Sequence, residues 1–266
     1  MNIKYLIDFL RDSSIDDVDI DGVDRFVIHT KILERKPMLN NVFTEFHHIF
    51  RRLDERYFTG QGTRIELGAG IAPIRDSYPD VLATDVLPGH HLDRVLDAEN
   101  MDIPNNSVRA VYGQNCFHHF PNPERFFSEI DRVLAVGGGV ILLEPYYGPF
   151  ATFLYKRLFK TEGFDKEFQS WETPVSGPMN GANQALSYII FDRDRAVFES
   201  KYQNLNIVHQ ECVDNYLKYL LSGGLNFKQL FPYVLSPLID FVQWCLSPLN
   251  RHLSLHHIIV IRKESQ

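Results

Sequence analysis

The stretch that most limits what this chain can fold into is RIELGAGIAP, Arg64–Pro73. A short β-branched and leucine run ends on two glycines one residue apart, with an acid, Glu66, two residues before the first. Glycine lets the backbone turn sharply and brings its N–H groups up to a ligand where side chains would block the approach. Gly68 and Gly70 therefore mark a ligand-holding turn at the end of a first strand. The dinucleotide fingerprint G-x-G-x-x-G needs its third glycine for close helix–strand packing, and Pro73 stands at that position. A G-x-x-x-x-G-K-[ST] phosphate loop is absent from the sequence. Both departures weigh against a nicotinamide dinucleotide and against a nucleoside triphosphate.

From Arg64 onward short apolar runs alternate with polar or helical connections. The runs are RIEL, VLAT, RVL, VRAVYG and, after the helical NPERFFSEIDRVLAV and its glycines, GVILLEP. Strands that alternate with helices build βαβ units around a parallel sheet buried on both faces. A helical RDRAVFESKYQN, an apolar NIVHQEC and a terminal LHHIIVIRK complete a sheet of about seven strands. The expected fold is α/β, a doubly wound and mostly parallel sheet. Before it, Ile3, Leu6, Ile7 and Leu10 recur at helical spacing, and MLNNVFTEFHHIFRRL puts Leu39, Val42, Phe43, Phe46, Ile49, Phe50 and Leu53 on one face. Residues 1–60 are expected to form a helical cap and residues 61–266 one domain. Two insertions, at about 146–190 and about 214–250, look like additions over one end of the sheet.

The strand ends carry acids. Asp85 closes VLATD, where a carboxylate can accept both hydroxyls of a ribose, and Asp97 in LDAENMDIP follows the third strand. Three acids and two glycines at successive strand ends describe a nucleoside site without a phosphate clamp. Read singly, Glu66 is a helix cap and the two aspartates are turn residues; the three together are not explained that way.

With these residues in place the chain resembles the class I S-adenosylmethionine-dependent methyltransferases, and more closely their methyltransferase-11 type. IELGAG, ATD and DAENMDIPNNSVRAVYGQNCFHHFPNPERFFSEIDRVLAVGGGVILLEP follow one another in that family's order and spacing, over about residues 62–145. The resemblance implies S-adenosyl-L-methionine as cofactor and a seven-stranded sheet with an antiparallel last strand. It implies that Glu66, Gly68 and Gly70 hold the methionine part, that Asp85 binds the ribose, that Asp97 and Ala98 flank the adenine, and that Gln114 and Asn115 line the sulfonium end. GIAPI departs from the more usual glycine-rich continuation of the loop. YLLSGGLNFKQLFP and KPMLNNVFTEFHHIF are also loosely similar to methyltransferases of bacterial surface-polysaccharide clusters, which points to a small-molecule, glycan or lipid-linked sugar acceptor. Two other classes stay open at this point: a noncatalytic S-adenosylmethionine-binding module and a nicotinamide oxidoreductase.

Methyl transfer is an in-line displacement, so the protein must supply alignment, and a base when the acceptor carries a proton of high pKa. CFHHF directly follows the fourth strand, at the carboxyl edge where ligands bind in such sheets. His119 is the candidate base and His118 its neighbouring alternative, since a neutral imidazole titrates near working pH. The competing reading is that the pair only caps or packs. Tyr146, Tyr147, Phe150, Tyr155 and Trp171 follow the fifth strand and can wall an acceptor or fill a cap core.

Several classes are disfavoured. A formal net charge of −7 would repel a phosphate backbone, so nucleic acid is not expected as a partner. Three separated cysteines, Cys116, Cys212 and Cys245, suit a reducing cytosol. Charge interrupts MNIKYLIDFLRDSS, leaving no apolar core of a signal peptide, and no run reaches the roughly 18 apolar residues of a membrane span. Asp17, Asp19, Asp21 and Gly22 imitate the start of an EF-hand loop, but Ile28 replaces its bidentate Glu. The pairs His47/His48, His90/His91 and His256/His257 lack partners at ligand spacing, so no metal site is expected. In the late insertion Leu238, Phe241, Val242, Cys245 and Leu249 share a helical face, opposed by Asp240 and Gln243 rather than Lys or Arg. It reads as a lid packed on the domain, with peripheral membrane contact the less favoured alternative.

Overall fold

The computed structural model describes residues 9–15, 19, 21–158, 162–175, 177 and 182–265. Seven strands form one sheet: β1 Thr63–Leu67, β2 Val81–Asp85, β3 Arg94–Val95, β4 Val108–Gln114, β5 Leu134–Pro145, β6 Leu205–Cys212 and β7 His256–Lys263. Their order is β3-β2-β1-β4-β5-β7-β6. Strands β1 to β5 pair in parallel, and β7 runs antiparallel between β5 and β6. This is a Rossmann-like, mostly parallel α/β sheet with an antiparallel β7, the arrangement expected from the sequence. All seven apolar runs read from the sequence are strands.

Alternate residues of the central strands serve two separate cores, as the period of two requires. Val111, Val140, Leu142 and Ile259 face a layer made of α3 (Pro123–Val133), the helical stretch Leu186–Arg193 and α5 (Arg195–Lys201). Helix α3 starts where it does because Pro123 presets the first turn and the Asn122 side chain accepts the Arg125 N–H at 3.0 Å. Its Phe126, Phe127 and Ile130 are wholly buried. Tyr112, Ile141, Leu143 and Val260 face the other way, onto α2 (Pro37–Tyr57). The periodic face read from the sequence is the face α2 buries: Leu39, Val42, Phe46, Phe50 and Leu53 are shut off from solvent. Helix α1 (Asp24–Arg35) precedes it, and α4 (Pro149–Leu158) follows β5.

The structure corrects three readings. The helix expected to run through Val136 stops at Val133, because Leu134 is extended and pairs with Val108 as the first residue of β5. The connections β1–β2, β2–β3 and β3–β4 contain no α-helix, only a 3-10 turn at Ile74–Asp76. Helix α2 already covers Ile74 and Val81 on that face, so the crossovers need no helix of their own. The periodicity at Ile3, Leu6 and Ile7, and Asp17 of the acidic turn, lie outside the described residues. The third correction concerns the late insertion. Helix α7 (Ser236–Leu246) turns Ile239 and Gln243 inward, and leaves Leu238, Phe241, Val242, Cys245 and, beyond it, Leu249 exposed. The face read as a packed lid is the face that meets solvent.

Candidate active site

A cavity of about 670 Å³ opens at the carboxyl ends of β1, β2, β4 and β5, within the size range of small-molecule sites. The strand order puts Asp85 and Asp97 towards one edge of it and the histidines after β4 towards the other.

The glycine loop is held from several sides. Gly68 and Gly70 have φ of +61° and +55°, the left-handed region that glycine enters without strain. A Cβ at Gly68 would lie 2.7 Å from the Cys116 Cβ, whereas one at Gly70 would meet nothing nearer than 3.9 Å. Gly68 thus packs against Cys116 while Gly70 keeps open space, and both line the cavity. The loop then enters the 3-10 turn at Pro73, so no α-helix N-terminus awaits a pyrophosphate. His47 on α2 bonds Ala72 O at 3.1 Å and Ser77 Oγ at 2.8 Å, and burial lowers its pKa to about 4, so it acts as a neutral strut. His91 reaches the Gly70 carbonyl. The GIAPI departure is therefore stabilised by two histidines rather than by further glycines.

The predicted cofactor residues divide. Glu66 is buried and does not line the cavity; its Oε2 accepts the Ile74 N–H at 2.7 Å, and burial pushes its carboxyl well above the usual range. It shapes the loop from beneath. Asp85 does line the cavity, accepting the Gly70 N–H at 3.2 Å and the Leu87 N–H at 3.0 Å, with Arg25 of α1 at 3.5 Å. Asp97 and Ala98 are on the wall, and Asp97 also accepts the Glu99 N–H at 2.8 Å. Gln114 and Asn115 are on the wall too, where Gln114 Oε1 and Asn115 Oδ1 are buried without hydrogen-bond partners. Two unpaired carbonyl oxygens in a buried site are costly unless a ligand meets them.

These features fit S-adenosylmethionine. Oxygen dipoles suit a cationic sulfur, Asp85 suits a ribose, and the open face of Gly70 leaves room for a ligand against the backbone. Gln114 and Asn115 would face the sulfonium, and Asp97 and Ala98 the base.

The histidines are the most tightly specified part. Asn115 turns the chain with φ +50°, and Phe117–His119 form a 3-10 turn capped by Glu144 of β5. Glu144 Oε1 accepts the Cys116 and Phe117 N–H groups at 3.1 and 2.9 Å, and its Oε2 meets His118 Nδ1 at 2.5 Å. The other ring nitrogen of His118 lies 3.6 Å from Glu162. Burial opposes charge on His118, yet Glu144 and Glu162 outweigh it and raise its pKa to about 10. His118 is therefore held as a cation, and the His119 ring lies 4.2 Å from it on the cavity wall. His118, His119 and Glu162 bring one ligand atom each within 4.8 Å of one another, a grouping that the sequence reading of the other histidine pairs did not anticipate.

Glu144, Glu162 and Arg25 escaped the sequence reading. Glu144 obeys the same strand-end rule that selected Asp85, but sits in the apolar run ILLEP. Glu162 and Arg25 arrive from the insertion and from α1, and only the fold brings them in. Of the aromatic additions Tyr155 lines the cavity, Tyr146, Tyr147 and Phe150 pack in a satellite core, and Trp171 joins the main core with Nε1 bonded to Asp194 at 2.9 Å. Helix α6 (Tyr216–Ser222) adds Tyr219, and β7 adds His256, which burial keeps neutral with a pKa near 3.

The methyltransferase-11 family model, described as a methyltransferase domain, matches residues 76–142. A search of curated proteins matches nothing. Similar solved structures include geranyl diphosphate C-methyltransferase from Streptomyces coelicolor, with 11% identity, TM-score 0.49, and coverage of 96% of this chain and 88% of that one. An S-adenosylmethionine-dependent methyltransferase from Archaeoglobus fulgidus has 11% identity and TM-score 0.45, covering 83% and 94%. Phosphoethanolamine N-methyltransferase 2 from Haemonchus contortus has 14% identity and TM-score 0.45, covering 83% and 53%.

Proposed function

We propose that this chain, a class I S-adenosylmethionine-dependent methyltransferase, methylates a hydroxyl oxygen of a small-molecule or glycan acceptor, with His119 as the base. The observation that carries the reading is the His118 imidazolium locked between Glu144 and Glu162, with His119 beside it on the cavity wall. S-adenosylmethionine, when bound, supplies an electrophilic methyl group on a cationic sulfur. The chain's own groups do the rest. Gln114 and Asn115 offer oxygen dipoles to the cation, and Asp85 fixes the nucleoside end. His119 takes the proton that the acceptor hydroxyl sheds as its oxygen gains the methyl. A carboxylate or a neutral amine would need no such base.

A lipid-linked sugar is the favoured acceptor within that class. The two segments that resemble polysaccharide-cluster enzymes pack together: Lys36 bonds Gly224 O at 2.8 Å and also reaches Phe227 O. Between them Phe43, Tyr219 and Tyr155 line the cavity, and aromatic faces suit sugar rings.

The test incubates the protein with methyl-labelled S-adenosylmethionine and either the soluble glycan or the lipid-extracted fraction of cells. An O-methyl ether survives mild alkali, whereas a methyl ester releases methanol. Recovery of label as an alkali-stable O-methyl sugar supports the reading; label lost to alkali, or found on nitrogen, overturns it. His119→Ala should lower kcat about a hundredfold or more while leaving cofactor affinity unchanged.

A further inference from the structure

Of the nineteen large hydrophobic side chains exposed among the described residues, nine fall between Leu230 and Leu249. Val234 is 80% exposed, Trp244 71%, Phe241 60% and Leu238 59%, and the Phe241 and Trp244 rings stack 6.1 Å apart. Apolar patches this dense are rare on a protein surface that meets only water. We propose that this segment docks the protein on an anionic phospholipid surface.

The charges argue for lipid. Between Gln229 and Asn250 the one charged residue is Asp240, which pairs with Lys218 of α6 at 2.6 Å. Exposed Lys228 precedes the patch, and exposed Arg251 follows it. A chain of net charge −7 thus presents an apolar face bounded by cations, the arrangement that inserts aromatics at headgroup depth while lysine and arginine meet phosphate. A second copy laid face to face would bring like charges together. The inward side of α7 is firmly anchored, since Gln243 Oε1 accepts the Leu217 N–H at 2.8 Å. Helix α6, to which it is anchored, carries Tyr219 to the cavity wall, so the docked face lies one helix away from the acceptor.

The test uses the full chain and vesicles of phosphatidylcholine with about one third phosphatidylglycerol, with pure phosphatidylcholine for comparison. The chain has two tryptophans, and Trp171 is buried, so a blue shift of emission on adding vesicles reports Trp244. Sedimentation should show binding to the anionic vesicles that weakens with salt. Phe241→Ser with Trp244→Ser should lower it at least about tenfold, and Lys228→Glu with Arg251→Glu should lower it on anionic vesicles most. These residues lie outside the cavity, so binding of S-adenosylhomocysteine should persist and certify folding. Absence of vesicle binding, binding indifferent to both double variants, or a dimer abolished by Phe241→Ser with no vesicle association would overturn the proposal. None of these readouts uses methyl transfer, so they stand apart from the identity of the acceptor.

Discussion

Glu66 and Asp85 both end strands beside the glycine loop, yet only Asp85 faces the cavity. Asp85→Asn should therefore weaken S-adenosylhomocysteine roughly ten- to hundredfold, the worth of one charge-assisted bond of about 1.5–3 kcal/mol, as read by calorimetry. Glu66→Gln keeps an oxygen for the Ile74 N–H and relieves the cost of a buried carboxylate, so affinity should stay within about threefold. A large loss in the second variant and none in the first would reverse the assignment. His118 makes a pH prediction. Its pKa is raised from 6.5 to about 10, so its stabilising contribution is complete below 6.5 and is lost as pH rises through about 10. Melting temperature should fall over that interval, and His118→Gln, less stable at neutral pH, should flatten the decline. At this scale the sequence displayed the acids and glycines at strand ends, because period and punctuation fix where strands stop. It did not display Glu144 as the partner that charges His118, because that pairing is a distance across two strands.

Helix α2 does more than cap the domain. Its buried face forms one side of the sheet's core, in place of the crossover helices missing between β1 and β4. We propose that α2 belongs to the same unit as the sheet, since its buried face is part of the sheet's core. Phe46→Ala should cost roughly 3–5 kcal/mol in urea unfolding, the usual result for a fully buried phenylalanine, whereas a change below about 1 kcal/mol would mark α2 as peripheral. All seven strands were legible from apolar runs, most plainly β4 and β5, since a parallel strand buried on both faces is apolar almost throughout. The missing crossover helices and the outward face of α7 were not, because periodicity shows that a helix has an apolar face but not what covers it.

On the scale of the molecule, three layers converge on one cavity. Arg25 arrives from α1, Asp85 and Gln114 from the sheet, and Glu162 and Tyr219 from the insertions. Among the described residues no helix is long and apolar enough to cross a membrane, and α7 leaves an apolar face exposed. The central claim is that this cavity holds S-adenosylmethionine, and thermal unfolding tests it most directly. A ligand that binds only the folded state at about 100 times its Kd adds about 2.7 kcal/mol, which at this chain length raises Tm by several degrees. S-adenosylhomocysteine should produce that shift while NAD produces none; a well-folded sample indifferent to millimolar S-adenosylhomocysteine, or stabilised by NAD, would contradict the account.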